Sequence, residues 1–135
     1  MIVTKSEDLK ANSHNPKSKN LNSRAFLFAI DIIKFIETLS LKKISNSVLD
    51  QLLRSATSIG ANIIEAKGSG SKKDFIRFYQ IALKSASGTK YWIYILKDGF
   101  NINNKEICYL LEELEEISKM LGSSLLTMKG KKAIG

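Results

Sequence analysis

The chain has 135 residues, of which 44% are hydrophobic and 25% are charged, the balance of one soluble globular domain. Lysine and arginine total 21 against 13 acidic residues, and the resulting net charge of +8 favours polyanionic partners, nucleic acid before anionic membranes. A single cysteine, Cys108, and a single histidine, His14, exclude an intrachain disulfide framework and a cysteine metal cluster, and argue against a Ser-His-Asp triad.

The first 22 residues are polar and include the one proline, Pro16. Residues 1–22 are therefore predicted to form a flexible arm, either a solvated leader or a basic segment that touches a polyanion. From Arg24 onward, apolar residues recur at intervals of three and four, which predicts an amphipathic helix that ends near Leu41. Its wide apolar face comprises Phe26, Phe28, Ile30, Ile32, Ile33, Phe35, Ile36 and Leu39.

A second helix is predicted from about residue 47 to residue 66, with Ser45 or Asn46 as its N-cap. Gly68 follows it and is placed for a left-handed C-cap. Gly60 lies inside the helix, where glycine costs about 1 kcal/mol relative to alanine. Its presence indicates that another helix approaches closely at this point, without identifying which one.

Two longer helices complete the chain. Ser71 followed by Asp74 three residues later is typical of a helix start, and the third helix is predicted over residues 72–97. Residues 98–101, Asp-Gly-Phe-Asn, end that helix. The fourth helix is predicted over residues 103–129, with leucine and isoleucine at heptad-like spacing.

Four helices with short connectors predict an all-α fold, an antiparallel up-down-up-down four-helix bundle over residues 23–129. A basic C-terminal tail, residues 130–135, follows the bundle. No apolar run approaches 18 residues, so no transmembrane helix is expected, and a cytoplasmic location is the default expectation.

The third helix is the most basic element, because residues 71–99 have a net charge of +4, half of the total. At 100° per residue, Lys73, Arg77, Lys84 and Tyr91 lie within about 40° of one another and form an outward line of cations that ends in an aromatic. With the neighbouring Lys72, they are the candidate nucleic-acid-binding residues, since cations in a line suit a phosphate backbone. A solvated helix face and a surface for an acidic protein partner are the alternatives.

The fourth helix contains Glu112, Glu113, Glu115 and Glu116 within five positions. Di-metal centres in bundles usually add Glu-x-x-His pairs, which this sequence lacks, so neither a metal site nor a cofactor is expected. The glutamates are interpreted as a solvated face or as the complement of a basic face on a neighbouring subunit. Cys108, among apolar neighbours in the same helix, is predicted to be an inert core residue.

The second helix carries a polar stripe made of Gln51, Arg54, Ser58, Asn62 and Glu65. The last four side chains fall within about 80° on the helix, but Arg54 and Glu65 are about 16 Å apart along its axis and cannot pair directly. Ser58 and Asn62 would either bridge them in a hydrogen-bonded chain or meet groups on another helix. The stripe is interpreted as a satisfied polar seam, with a ligand or nucleic-acid site and a subunit contact as alternatives.

The stripe, together with Ser71-Lys72-Lys73-Asp74-Phe75 and Thr89-Lys90-Tyr91-Trp92, resembles a bacterial four-helix-bundle family over roughly residues 24–129. The family is named for proteins encoded in intervening sequences of 23S ribosomal RNA genes. The resemblance implies an antiparallel bundle that assembles as a barrel-like homopentamer. It also implies a distant relationship to the accessory protein of diversity-generating retroelements, which is similarly basic and partners nucleic acid and a reverse transcriptase.

The chain departs from that family at Ser85 and Gly88, where similar members tend to have glutamate. The third helix is more basic as a result. The resemblance supplies no catalytic residues. We therefore expect a non-enzymatic oligomer that binds RNA or DNA through the third helix, without a membrane role. The alternative is a structural or adaptor protein that docks an acidic protein partner.

Overall fold

A computed structural model describes residues 20–39 and 42–134, with side chains through residue 130. Its four α-helices are named α1 to α4 in chain order. They comprise α1 Leu21–Thr38, α2 Asn46–Lys67, α3 Lys72–Tyr94 and α4 Lys105–Ile134. The predicted all-α class is confirmed, and the described parts of the chain contain no strand.

Polar side chains set where three of the helices begin. Asn20 Oδ1 accepts a hydrogen bond from Ser23 N at 2.9 Å, Ser71 Oγ accepts one from Asp74 N at 3.1 Å, and Asn104 Oδ1 accepts one from Ile107 N at 3.1 Å. Each bond satisfies a backbone donor that the first helical turn leaves without a partner. Ser45 occupies the N-cap position of α2, but its side chain makes no capping bond.

The helix ends differ from the predicted ones. Gly68 has φ −89° and ψ −3°, so the expected left-handed C-cap is wrong, and its N–H bonds to the carbonyl of Ile64 within the right-handed turn. After α3 the chain widens into one π-helical turn, Ile95–Gly99. Asn101 then adopts φ 56°, the left-handed region that asparagine tolerates better than most residues. The left-handed conformation of Asn101 lies in the connection between the π-helical turn and α4.

The helices form an up-down-up-down bundle in which α1 and α3 each pack against α2 and α4. Each helix gives one face to a shared core. Fully buried side chains from all four helices include Phe28, Ile32, Leu52, Ile59, Ile63, Ile93, Ile107, Leu110, Leu114 and Ile117. Burial of these faces stabilises the fold and leaves the opposite face of each helix in solvent.

The wide apolar face of α1 is buried only in part. Phe28, Ile32 and Phe35 are in the core, whereas Ile33 is 39% exposed. Gly60 of α2 faces the same helix, because a Cβ built on it would lie 3.6 Å from Ala25 Cβ. The close helix approach that Gly60 indicates is therefore that of α1.

The structure describes only part of the predicted N-terminal arm and C-terminal tail. Residues 1–19 of the predicted arm lie outside the described residues, and Leu21 and Asn22 already belong to α1. At the other end, α4 continues to Ile134, through most of the predicted tail. None of the helices in the described parts of the chain combines the length and apolar character needed to cross a bilayer.

The packing of α2 against α3 predicts the effect of filling Gly88. A Cβ at this position would lie 4.0 Å from Ser55 Cβ, an ordinary van der Waals distance. Gly88→Ala should therefore raise the free energy of unfolding by roughly 0.5–1 kcal/mol through helix propensity, as measured by urea denaturation. Gly60→Leu is the contrasting variant and should lower it by about 1–3 kcal/mol, because the longer side chain collides with α1. A loss of stability in Gly88→Ala would contradict the helix spacing described above.

Candidate nucleic-acid interface

The outward face of α3 carries the predicted line of cations. Lys72, Lys73, Arg77, Lys84 and Tyr91 are all exposed. Lys73, Arg77, Lys84 and Tyr91 project from α3 opposite its buried stripe, which is formed by Tyr79, Ala82, Ala86, Thr89 and Ile93. Lys72 lies about 100° around the helix from Lys73. The apolar stripe turns inward because it is the face that packs, so the cations on the other side point into solvent.

Among the described residues, one carboxylate lies within salt-bridge distance of this line. Arg77 Nε lies 3.7 Å from Asp74 Oδ1, one turn earlier on the same helix, and both side chains are about half exposed. An exposed contact of that length is weak, and it leaves the remaining guanidinium donors open to other acceptors. Arg77 also lies over the ring of Phe78, 4.4 Å from its centroid, which holds the guanidinium against the helix.

Lys73 and Lys84 have no salt-bridge partner among the residues the structure describes. The situation differs on the side of α3 that faces α4, where Lys90 Nζ lies 3.1 Å from Glu115 Oε2. Lys90, on the α4 side, is thus paired with a glutamate, whereas Lys73 and Lys84 on the outward face have no such partner in the described part of the chain. The outward face, defined by Lys73, Arg77, Lys84 and Tyr91, is called the α3 cation line below.

A seam of hydroxyl groups joins α2 to α3. Asn62 Nδ2 donates to Ser58 Oγ at 3.0 Å, and Ser58 Oγ lies 3.0 Å from Ser85 Oγ across the helix interface. Further along, the buried Thr89 hydroxyl donates to Ser55 Oγ at 3.0 Å. Small side chains let the helices approach closely, and the hydrogen bonds satisfy polar groups that packing removes from water.

The predicted polar stripe of α2 is therefore divided between two environments. Ser58 and Asn62 belong to the seam with α3, whereas Gln51, Arg54 and Glu65 are exposed on the outer face. No hydrogen-bonded chain joins Arg54 to Glu65 within the described part of the protein. Of the two arrangements considered for Ser58, contact with another helix is the one observed.

A buried ion pair between α1 and α4 was not predicted. Arg24 Nε donates to Glu113 Oε1 at 2.7 Å, and Nη2 donates to Oε2 at 2.9 Å, a bidentate arrangement. The two side chains are 5% and 10% exposed. Glu113 therefore does not belong to a solvated face. The sequence signal was the position of Arg24 on an otherwise apolar helix face, together with an acid at heptad spacing on α4.

The same side of the bundle contains Asp31 and Tyr109. Partial burial raises the pKa of Asp31, and although Lys34 opposes the shift, the nearby Glu113 adds to it. Burial and the charge of Asp31 also raise the pKa of Tyr109. These groups border a groove of about 250 Å³ lined by Asp31, Lys34, Phe35, Thr38, Glu106, Tyr109 and Leu110. Charges of both signs line this groove, so it lacks the cationic character that phosphates require.

The prediction that Cys108 is a core residue is wrong, because its side chain is exposed. Ile107, the preceding residue, is fully buried, and one residue is a rotation of about 100° on a helix. Ile107 therefore lies in the core, and Cys108 lies in solvent. Within the described residues, no three histidine, cysteine or acidic side chains lie in an arrangement that could hold a metal ion.

A family model and a solved structure are similar to this chain. Residues 17–123 match the model of a family described as 23S rRNA-intervening sequence protein. A crystal structure of a protein with unknown function from the S23 ribosomal protein family of Bacteroides thetaiotaomicron is similar, with 34% sequence identity and a TM-score of 0.74. The match covers 78% of this chain and 98% of that one. None of the curated proteins with which the sequence was compared matches it.

The bidentate ion pair predicts a strong effect of removing one partner. Arg24→Met leaves the Glu113 carboxylate buried without its cation and should lower the free energy of unfolding by about 3 kcal/mol, as measured by urea denaturation. Adding Glu113→Leu should restore most of that loss, because an apolar pair of similar volume is tolerated where a lone charge is not. If Arg24→Met alone were as stable as the native protein, Arg24 and Glu113 would not be paired in solution.

Proposed function

Since this chain belongs to the 23S rRNA-intervening sequence protein family, we propose that it is a non-enzymatic, cytoplasmic homo-oligomer that binds nucleic acid through the α3 cation line. The observation that supports this most is the exposure of Lys73 and Lys84, which have no carboxylate partner among the described residues. Cations held in solvent on a rigid helix attract phosphates without any rearrangement of the protein.

The spacing along α3 suits an extended polyanion. Lys73 and Lys84 are eleven positions apart on the helix, about 16 Å at 1.5 Å per residue, and Arg77 lies between them. Each phosphate that they neutralise releases condensed counterions, so affinity falls steeply as salt concentration rises. Contacts of this kind position a nucleic acid without identifying its bases, and we expect little sequence preference.

Oligomerisation would strengthen such binding. The family resemblance implies a barrel-like homopentamer, and a closed ring repeats every surface once in each subunit. Several copies of one weak phosphate-binding surface then act on the same strand, and their combined affinity exceeds that of a single copy. A homopentamer is part of this proposal, and light scattering of the purified protein measures its mass directly.

Charge reversal on the α3 cation line is the direct test. Lys73→Glu, Arg77→Glu and Lys84→Glu together should abolish retention of RNA and DNA at low salt, as measured by fluorescence anisotropy with labelled oligonucleotides. All three side chains are exposed, so circular dichroism should show an unchanged helical fold.

A matched control separates position from net charge. Lys105→Glu, Lys119→Glu and Lys129→Glu reverse three exposed lysines on α4 and change the net charge equally. This variant should retain most of the binding. Equal loss in both variants would mean that net charge alone drives retention, and unchanged binding in the α3 variant would exclude this surface. A partner protein recovered after nuclease treatment, with no nucleic acid bound, would instead favour an adaptor that docks an acidic protein.

A further inference from the structure

Exposed aromatic rings lie at the C-terminal end of the α3 cation line. Tyr91 is 58% exposed and Tyr94 is 41% exposed, so two large rings lie in solvent three residues apart on one helix. Tyr91 falls on the same helix face as Lys84, about 10 Å further along the axis. Cations and an exposed ring therefore occupy one continuous surface.

The Tyr91 ring is held by its neighbour but not covered by it. Its centroid lies 5.1 Å from that of Trp92, and the two rings are nearly perpendicular, at 78°. Trp92 is partly buried against the core, so it anchors the pair to the bundle. A perpendicular neighbour leaves at least one face of the Tyr91 ring open, and that face is a planar apolar surface beside a row of cations.

We propose, on the basis of the function proposed above, that Tyr91 stacks an unpaired base and that the surface therefore selects single-stranded over double-stranded nucleic acid. In a single strand, bases and phosphates alternate along one chain, so phosphates contact Lys84 and Arg77 while a base reaches Tyr91. In a duplex the bases are paired and stacked on each other, and a protruding tyrosine cannot reach their faces. Stacking does not depend on base identity, which agrees with the absence of base-reading contacts in the proposed mode.

The charge around Tyr91 disfavours one alternative, a second copy of this chain bound face to face through the same surface, whereas a head-to-tail contact within a ring is tested by the assembly mass below. A symmetric contact would bring the cation lines of two subunits together, and like charges repel. Lys97 lies over the ring of Tyr94, 5.8 Å from its centroid, and adds another cation beside the aromatic surface. A polyanion with exposed ring faces complements both features of this surface.

The test compares two substitutions at one position. Tyr91→Leu removes the aromatic face but keeps apolar volume, whereas Tyr91→Phe keeps the face and removes only the hydroxyl. An oligothymidylate of about 20 nucleotides, longer than ordinary single-strand site sizes, is titrated against each protein at several salt concentrations, alongside a duplex of equal length. Tyr91→Leu should bind the single strand about tenfold more weakly at every salt concentration, with the salt slope unchanged, since no phosphate contact is lost. Its duplex affinity should not change, and Tyr91→Phe should behave like the native protein.

Intrinsic fluorescence gives a second readout at the same position. Trp92 is the single tryptophan of the chain, so its emission reports on the Tyr91–Trp92 pair without a label. The single strand should change this emission in the native protein and in Tyr91→Phe. The duplex should leave it nearly unaltered.

The outcomes separate the two proposals. If Tyr91→Leu binds the oligothymidylate as tightly as the native protein, stacking is refuted, while loss of binding in the α3 charge-reversal variant still supports the proposed function. If the native protein binds neither probe, the proposed function fails, and the stacking inference fails with it. A changed assembly mass of Tyr91→Leu in light scattering would place Tyr91 in a subunit contact and overturn the inference.

Discussion

The burial of Ala82, Ala86 and Ile93 against the other helices fixes the direction of every charge on α3. The orientation of an α-helix about its own axis is fixed by the apolar face that packs into the core. Lys73 and Lys84 lie opposite that stripe. Their exposure therefore follows from the packing of the helix and does not depend on contacts of the lysines themselves. If the helix were rotated to bury these lysines, its apolar residues would be exposed and the ammonium groups would lose their contact with water. Both changes are unfavourable in free energy.

The same packing separates the charges of the molecule into two regions. Glu113 is bound by Arg24 between α1 and α4, and Glu115 lies against Lys90. These acids are balanced within the chain, so they do not offset the cations on the outward face of α3. Among the described residues, the seam between α2 and α3 adds no carboxylate either, because Ser58 meets the neutral hydroxyl of Ser85. Although the net charge of the chain is only +8, the α3 cation line is therefore strongly positive.

Most of the fold was predictable from the sequence because it depends on local patterns. Apolar spacing located the four helices, and the capping role of Ser71 follows from a side chain and a backbone N–H three residues apart. The exposure of the α3 cation line was predictable for the same reason. The spacing of α1, however, allowed two overlapping stripes, and only the partner helices decide that Ile33 faces out while Ile32 faces in.

What escaped prediction depends on which helices meet and at what register. Arg24 and Glu113 are 89 residues apart in the chain, and no local pattern pairs them. Ser85 and Thr89 became part of the α2–α3 seam for the same reason. The apolar neighbours of Cys108 predict a core position, but Cys108 follows the buried Ile107 by one residue, about 100° around the helix, and lies in solvent.

Chemical labelling of lysines in the assembled protein tests the central claim most directly. Brief acetylation, followed by mass spectrometry, measures the reactivity of each lysine with and without saturating oligothymidylate. Lys73 and Lys84 should react as fast as the exposed Lys119 of α4 in the protein alone, and should become several-fold less reactive with nucleic acid while Lys119 does not change. Lysines on α3 that are already shielded in the assembly, or that remain fully reactive with nucleic acid bound, would contradict the account.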